Sequence, residues 1–330
     1  MKLDIIRKSK ILVTGGAGFI GSSLCEFFVR NCIKVRCLDN FSTGTHKNIN
    51  NLLSSEYFEL INGDINDILT CQNACVGMDY VIHQAALGSV TRSIEDPIKT
   101  NNSNVNGFLN MLVASRDNKV KRFVYAASSS TYGDSQILPK VEDKIGNPMS
   151  PYAITKLVNE LYAKNFSLIY GIETIGLRYF NVFGKRQTPE GAYAAVIPKF
   201  IKKLINLESP IINGDGYHSR DFTYIKNVVE ANLLSLLNKN KNSLNRVYNI
   251  AYGSSTSLNE LFIMLKQLLS NYNPEIMKIE PIHGKERIGD VKHSLASIEK
   301  AKKFLNYNPK YDIRKGMVES IDWYWTNLNK

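Results

Sequence analysis

The segment Thr14-Gly15-Gly16-Ala17-Gly18-Phe19-Ile20-Gly21 constrains this chain more than any other. It directly follows an apolar, β-branched run, Ile11-Leu12-Val13, and opens a helical pattern. Its glycine spacing is G-x-x-G-x-x-G, a variant of the dinucleotide-binding fingerprint rather than the G-x-G-x-x-G form. The physical logic is shared. Gly15 permits a tight turn, Gly18 lets the backbone approach a pyrophosphate, and Gly21 allows close helix–strand packing. Phe19 and Ile20 sit at the helix start, where unpaired N–H groups and the positive dipole end favour an anion.

Short β-branched runs then alternate with helical patterns. Val35 to Leu38, Phe58 to Ile61, Tyr80 to His83, Arg122 to Tyr125 and Thr174 to Arg178 read as strands. Gly21 to Asn31 and Val105 to Arg116 read as helices. This alternation predicts an α/β fold, a doubly wound parallel sheet with helices on both faces. From about Gly184 to Arg220 strands become scarce and Gly and Pro punctuate the chain. Asn227 to Leu237 is a helix, Val247 to Ile250 a strand, and Ser257 to Leu269 a helix opened by a Ser257/Glu260 capping signal. The 330 residues suggest about two units at ~150 residues each. The expected division is a Rossmann domain over 1–183 and 220–252, with a smaller mixed α/β substrate lobe over 184–219 and 253–330.

Asp39 ends the second strand, 18 residues after Gly21. A carboxylate there accepts ribose hydroxyls and repels a 2′-phosphate, which selects NAD over NADP. Followed by Asn40, Asp39 also reads as an ordinary turn residue; the fingerprint upstream favours the ribose role. Asp64 and Ile65 follow the third strand, with Asp64 facing an adenine amine. Gln84, Ala85 and Ala86 follow the fourth, small enough for a flat cofactor to lie close. All stand at carboxyl ends of strands, where ligands bind in such sheets.

Ser150-Pro151-Tyr152-Ala153-Ile154-Thr155-Lys156 begins a helix, with Ser150 as N-cap and Pro151 at the first helical position. Tyr152 and Lys156 are four apart and share a face. A phenol is a poor base at its reference pKa of about 10. A neighbouring ammonium and a positive nicotinamide ring lower it, so the pair reads as a general base. Taken alone, the pair also fits a solvent-exposed i,i+4 contact. Ser128-Ser129-Ser130 ends the fifth strand, 24 residues before Tyr152, and offers a hydroxyl to a substrate oxygen.

Composition excludes other classes. With 44% hydrophobic and 22% charged residues, the chain is neither disordered nor fibrous. Its net charge of +11 reflects either a Lys- and Asn-rich bias, as in 238–242, or attraction of an anionic ligand. No Lys/Arg stripe with interleaved aromatics points to nucleic acid. The five cysteines, Cys25, Cys32, Cys37, Cys71 and Cys75, fit no disulfide or metal framework and read as free thiols of a reducing compartment. The N-terminus lacks a signal-peptide pattern and no apolar run is long enough to span a bilayer, so a cytoplasmic protein without membrane contact is expected.

Fingerprint, Asp39, strand-end Ser128 and Tyr152-x-x-x-Lys156, in that order, resemble the extended short-chain dehydrogenase/reductase family. The match runs over almost the whole chain and includes Asn104 to Gly107 and Leu177 to Gly184. Within the family the chain looks most like bacterial UDP-N-acetylglucosamine 4-epimerases. The resemblance implies that Tyr152 is the base and that Lys156 holds the nicotinamide ribose. Ser128 would match the Ser/Thr of the Ser/Thr-x-x-x-Tyr-Gly pattern, with Ser129 and Ser130 beside it. It places Gly44, Asn104 and Tyr179 at the cofactor, Asn104 near the diphosphate. Asn181, Arg220 and Arg287 would grip the UDP phosphates and Asp290 the uridine ribose. Ser294 stands where the family walls the sugar pocket; a small residue there admits a 2-N-acetyl group. Gly88, Ser89, Ala195 and Val196 fit a roomy pocket, and Gln187 can hydrogen-bond an acetamido group. The implied reaction is NAD-dependent inversion at C4 between UDP-GlcNAc and UDP-GalNAc through a 4-keto sugar. UDP-GlcNAc/GalNAc uronic acid, UDP-glucuronate and UDP-glucose/galactose are alternative substrates. The 4,6-dehydratases of the family carry Asp-Glu after the strand-end hydroxyl, where this chain has Ser129-Ser130. The family also implies a homodimer.

Overall fold

The computed structural model describes residue 3 and residues 6–189, 194–285 and 292–329. The first-half strands are β1 (Lys10–Thr14), β2 (Lys34–Asp39), β3 (Phe58–Asn62), β4 (Tyr80–His83), β5 (Arg122–Ser128) and β6 (Glu173–Tyr179). Four short strands follow, β7 (Val182–Phe183), β8 (Ile211–Asn213), β9 (Ser219–Arg220) and β10 (Thr223–Tyr224). Then come β11 (Arg246–Ile250), β12 (Thr256–Ser257) and β13 (Ile282–Gly284). β1 to β6 and β11 form one seven-stranded sheet, ordered β11-β6-β5-β4-β1-β2-β3. Every pair in it is parallel. β1 sits between β2 and β4, so the strand order reverses at the end of β1, where such sheets open a ligand crevice.

The helices are α1 (Phe19–Arg30), α2 (Ile68–Cys75), α3 (Val90–Glu95), α4 (Pro97–Asn101), α5 (Gly107–Asp117) and α6 (Pro151–Tyr170). They continue with α7 (Val196–Ile205), α8 (Ile225–Leu237), α9 (Leu258–Ser270), α10 (Glu299–Leu305) and α11 (Ile313–Leu328). Alternation along β1 divides them between the two faces of the sheet. Val13 packs with Leu24 and Phe28 of α1 and Val228 of α8. Leu12 packs with Cys71 of α2, Phe108 of α5 and Phe166 of α6. The sheet is therefore buried on both sides, as a parallel sheet must be.

α6 is delimited as the sequence predicts. Ser150 Oγ accepts from Ala153 N at 3.1 Å, Pro151 takes the first helical position, and Gly171 ends the helix at φ +72°. The Ser257/Glu260 capping box of α9 is formed. α7, α9 and α11 pack on one another, while α10 rests on β11 and α8. Among the described residues no helix is long and apolar enough to cross a membrane.

Candidate active site

Gly15 has φ +66°, and a Cβ there would lie 2.7 Å from Ala85 N at the end of β4. A Cβ on Gly21 would lie 2.0 Å from Gly15 O, so the helix start touches the turn. Both positions need glycine for the reasons read from the sequence. Gly18 is the N-cap of α1 and brings no side-chain bond, so the first turn faces outward with its N–H groups available to an anion. The buried Asp39 ties this turn to the loop after β2. Its Oδ2 accepts from Ala17 N and its Oδ1 from Phe41 N, both at 2.8 Å. The turn role and the cleft position coexist, since each oxygen keeps a second lone pair.

A cleft of about 380 Å³ opens over the sheet ends. Gly15, Gly18, Phe19, Ile20, Gly21, Asp39, Asn40 and Ile65 line one side. Gln84, Ala85, Ala86, Gly88, Ser128, Tyr152, Lys156 and Tyr179 line the other. Leu38, Ser42, Thr43, Gly63, Leu87, Ser103, Ala126 and Ala127 also line it and were not foreseen. The signal was present for several: Leu38, Gly63, Ala126 and Ala127 stand at carboxyl ends of strands already identified. Gln84 Nε2 and Asn232 Nδ2 both donate to Tyr179 Oη, at 3.1 and 2.9 Å, which fixes that ring in the wall.

β5 and α6 bring the three candidate catalytic side chains together. Tyr152 hydrogen-bonds the Ser128 side chain. Ser130 Oγ donates to Ser128 Oγ at 2.9 Å. Lys156 Nζ donates to Ala126 O at 2.9 Å and stands 5.9 Å from the centre of the Tyr152 ring. Burial pulls Lys156 down to about 8, against the nearby Glu160 carboxylate, which Arg178 grips through two nitrogens. Burial also raises the Tyr152 phenol above its ordinary value, and the Ser128 hydrogen bond only partly opposes it. This corrects the expectation that Lys156 makes Tyr152 acidic. Lys156 Nζ gives one of its three N–H donors to the Ala126 carbonyl, and desolvation disfavours both charged forms. In the protein alone the phenol keeps its proton.

Other expected residues lie elsewhere. The Asp64 carboxylate accepts from Asn40 Nδ2 at 2.8 Å and from Asn66 N, and is not in the wall of the cleft. Gly44 backs onto Ala17, behind the glycine turn. Asn104 is buried as a wedge. It accepts from Leu87 N at 2.7 Å and donates to Leu87 O and Thr155 Oγ1, so it braces the β4 loop against α6 instead of facing the cleft. Ser89 caps α3, and Ser129 begins a short turn after β5.

A second cavity of about 670 Å³ shares Gly18, Phe19, Ser42, Thr43 and Gly88 with the first. Gln187, Ala195, Arg92 and Arg186 line it. Gln187 Nε2 donates to Val182 O at 3.0 Å, while its buried Oε1 has no partner among the described residues. Val196 packs against the core. Asn181, Arg220 and Ser294 line neither cavity. Asn181 Nδ2 donates to Asp221 O, Arg220 Nη1 to Ser219 O and Lys292 O, and Ser294 N to Ser219 O. Arg287 and Asp290 lie outside the described residues.

Residues 11–251 match the model of the NAD dependent epimerase/dehydratase family. Among solved structures, the chain is similar to a UDP-N-acetylglucosamine 4-epimerase from Methanobrevibacter ruminantium in complex with UDP-N-acetylmuramic acid. The two are 38% identical, with a TM-score of 0.90 over 96% of this chain and 98% of that one. It is similar to a UDP-glucose 4-epimerase from Thermotoga maritima with UDP-glucose, at 34% identity, TM-score 0.88, over 97% and 99%. It is also similar to a UDP-glucuronic acid 4-epimerase from Bacillus cereus in complex with UDP-glucuronic acid and NAD, at 30% identity, TM-score 0.85, over 96% and 99%.

Proposed function

This chain belongs to the NAD dependent epimerase/dehydratase family, and from that premise we propose that it is a UDP-sugar 4-epimerase preferring UDP-GlcNAc and UDP-GalNAc. One observation carries the reading: Tyr152, Ser128 and Lys156 line the same cleft as the uncapped glycine turn. NAD is the family's cofactor, and the residues fit it. The first turn of α1 takes the pyrophosphate, Asp39 the adenosine ribose, and Lys156 the nicotinamide ribose. When bound, NAD would supply the hydride acceptor and donor for sugar C4 that inversion needs.

The chain's own residues do the rest. Tyr152 takes the proton of the C4 hydroxyl and later gives it back. Burial holds the phenol above its ordinary value, so a positive nicotinamide beside it would favour proton removal. Ser128 orients the sugar oxygen and passes a hydrogen bond to Tyr152. Asn181, Arg220, Arg287 and Asp290 anchor UDP while the keto sugar turns over. Arg suits the phosphates because its fork of donors matches their oxygens. NAD is assigned to residues 1–183 and 220–252, and the UDP-sugar to 184–219 and 253–330.

The acetamido preference rests on the small residues Gly88 and Ala195 in the cavity walls, on Gln187 Oε1, and on the smallness of Ser294, which the family resemblance puts beside the sugar. A buried acceptor without a partner costs about 1–3 kcal/mol, and an acetamido N–H satisfies it. A uronate is the second reading, favoured by Arg92 in the same cavity, where Arg186 is paired with Glu26. Separate incubation with UDP-GlcNAc, UDP-glucose, UDP-glucuronate and UDP-GlcNAc uronate, followed by NMR of C4 stereochemistry, decides. Conversion of UDP-GlcNAc fastest supports the reading; a faster uronate replaces it, and no conversion of any overturns it.

The homodimer is placed on the outer face of α6. Ile154, Leu161 and Leu168 are exposed there at seven-residue spacing, beside exposed Ile98 of α4. A seven-residue apolar seam packs against another helix, here that of a second copy. Leu161→Glu is expected to halve the mass measured by light scattering.

A further inference from the structure

We propose that Asp221 is a positioning residue for UDP-sugar binding, its buried carboxylate fastening the segments that carry Arg220 and Ser294 while its main-chain carbonyl holds Asn181. The inference rests on reading those three side chains as substrate contacts.

Asp221 is fully buried between β9 and β10. Its Oδ1 accepts from Tyr252 N at 3.1 Å and from Gly253 N at 3.3 Å. Its Oδ2 accepts from Gly253 N at 3.1 Å and from Ala296 N at 3.2 Å. Its own carbonyl receives Asn181 Nδ2 at 3.1 Å. Gly253 wraps the carboxylate with φ +88°, a conformation that suits glycine. The residue therefore joins the turn after β6, the turn after β11 and the segment before α10.

The chemistry requires an acceptor without donors. A carboxylate satisfies N–H groups from several directions at once. An asparagine turns an NH₂ toward one of them and leaves that N–H unpaired. The neighbours show what is being positioned. Arg220 bonds to Lys292 O, and Ser294 N bonds to Ser219 O, so 292–296 is laced to 219–221 at both ends. None of Tyr252, Gly253, Ala296 or Asn181 lines the cofactor cleft. Loss of the clamp should move the substrate anchors and leave the NAD wall alone.

The test compares wild-type holoenzyme with Asp221→Asn, reading KM, kcat, bound NAD and the Kd for UDP by calorimetry. KM and the UDP Kd should both rise at least about fivefold, with kcat within about threefold and NAD content unchanged. A smaller rise in either, or a fall in kcat without one in KM, overturns the proposal. Should Asp221→Asn not yield folded holoenzyme, Asp221→Ser is measured the same way. If neither variant folds with NAD, the carboxylate is a determinant of the whole fold and the local clamp is wrong. A wild type that binds UDP but converts no UDP-sugar sinks the epimerase reading alone, and the UDP titration still decides the clamp. A wild type that does not bind UDP overturns both.

Discussion

The two sides of the site are built in opposite ways. The cofactor side is one continuous surface, the carboxyl ends of neighbouring parallel strands, with Gly15 pressed on Ala85 and Gly21 on Gly15. The substrate side, as proposed, would be gathered from turns far apart in the chain, at Asn181, Gln187, Arg220 and Ser294, with Asp221 joining the segments around Arg220 and Ser294. The first has no slack for an added atom. The second is lined by side chains from both loops and helices, among them Arg92, Gln187, Trp323 and Leu328. Rigidity where the shared cofactor lies and latitude where the sugar lies would let one scaffold serve several sugars.

Four changes break or sharpen this contrast. Tyr152→Phe, at the junction of the two sides, should lower kcat by about three orders of magnitude with UDP-sugar affinity retained. Stopped assays with titrated UDP check it, and wild-type turnover in the variant refutes the base assignment.

The cofactor side should next reveal its buried histidine. His83 ends β4, accepts or donates at Thr14 Oγ1 across 2.9 Å, and is pulled down to about 3 by burial, with the Lys156 charge adding to it. In the fold the ring stays neutral; in the unfolded chain it takes a proton below about 6.5. The unfolded state thus binds more protons, and stability falls as pH drops from about 6.5 toward 3, by up to roughly 4 kcal/mol. Urea midpoints from pH 7 to 4.5 should show this slope, and His83→Asn should flatten it.

Gly21→Ala puts a methyl group 2.0 Å from Gly15 O. Backbone must shift, at a cost of about 1–3 kcal/mol, and bound NAD should be lost with the turn geometry. Thermal melts and NAD content report both. By contrast Ser294→Tyr, on the substrate side, should leave the melting temperature within about 2 °C while raising KM for UDP-GlcNAc about tenfold over that for UDP-glucose. Equal effects on both sugars would remove Ser294 from the sugar pocket.

Much of the cofactor side was legible in the sequence. A glycine turn between a strand and a helix is a local event, so Gly15 and Gly21 declare their roles by spacing. Tyr152 and Lys156 share a helix face because four residues make about one turn. Contacts made across the fold were not legible: the Asp64 carboxylate accepts from Asn40 and Asn66, and Gly44 lies against Ala17. Asn104 follows its burial and bonds Leu87 and Thr155 across the fold. The second cavity was unreadable because it joins the β2 loop, α3, residues 186–189 and 194–195, and α11, which no local pattern relates.

What this amino-acid order determined unaided was the alternation of strand and helix, the turn that receives a dinucleotide, and the pairing of a phenol with an amine on one helix. Those follow from backbone sterics and from periodicity within a few residues. Tertiary structure alone decided which oxygens remained free to meet a ligand and how strongly Tyr152 holds its proton. It also decided that one buried carboxylate would join three distant turns. Hydrogen-bond partners and desolvation are set by neighbours in space, and those neighbours here are separated by up to a hundred residues of chain.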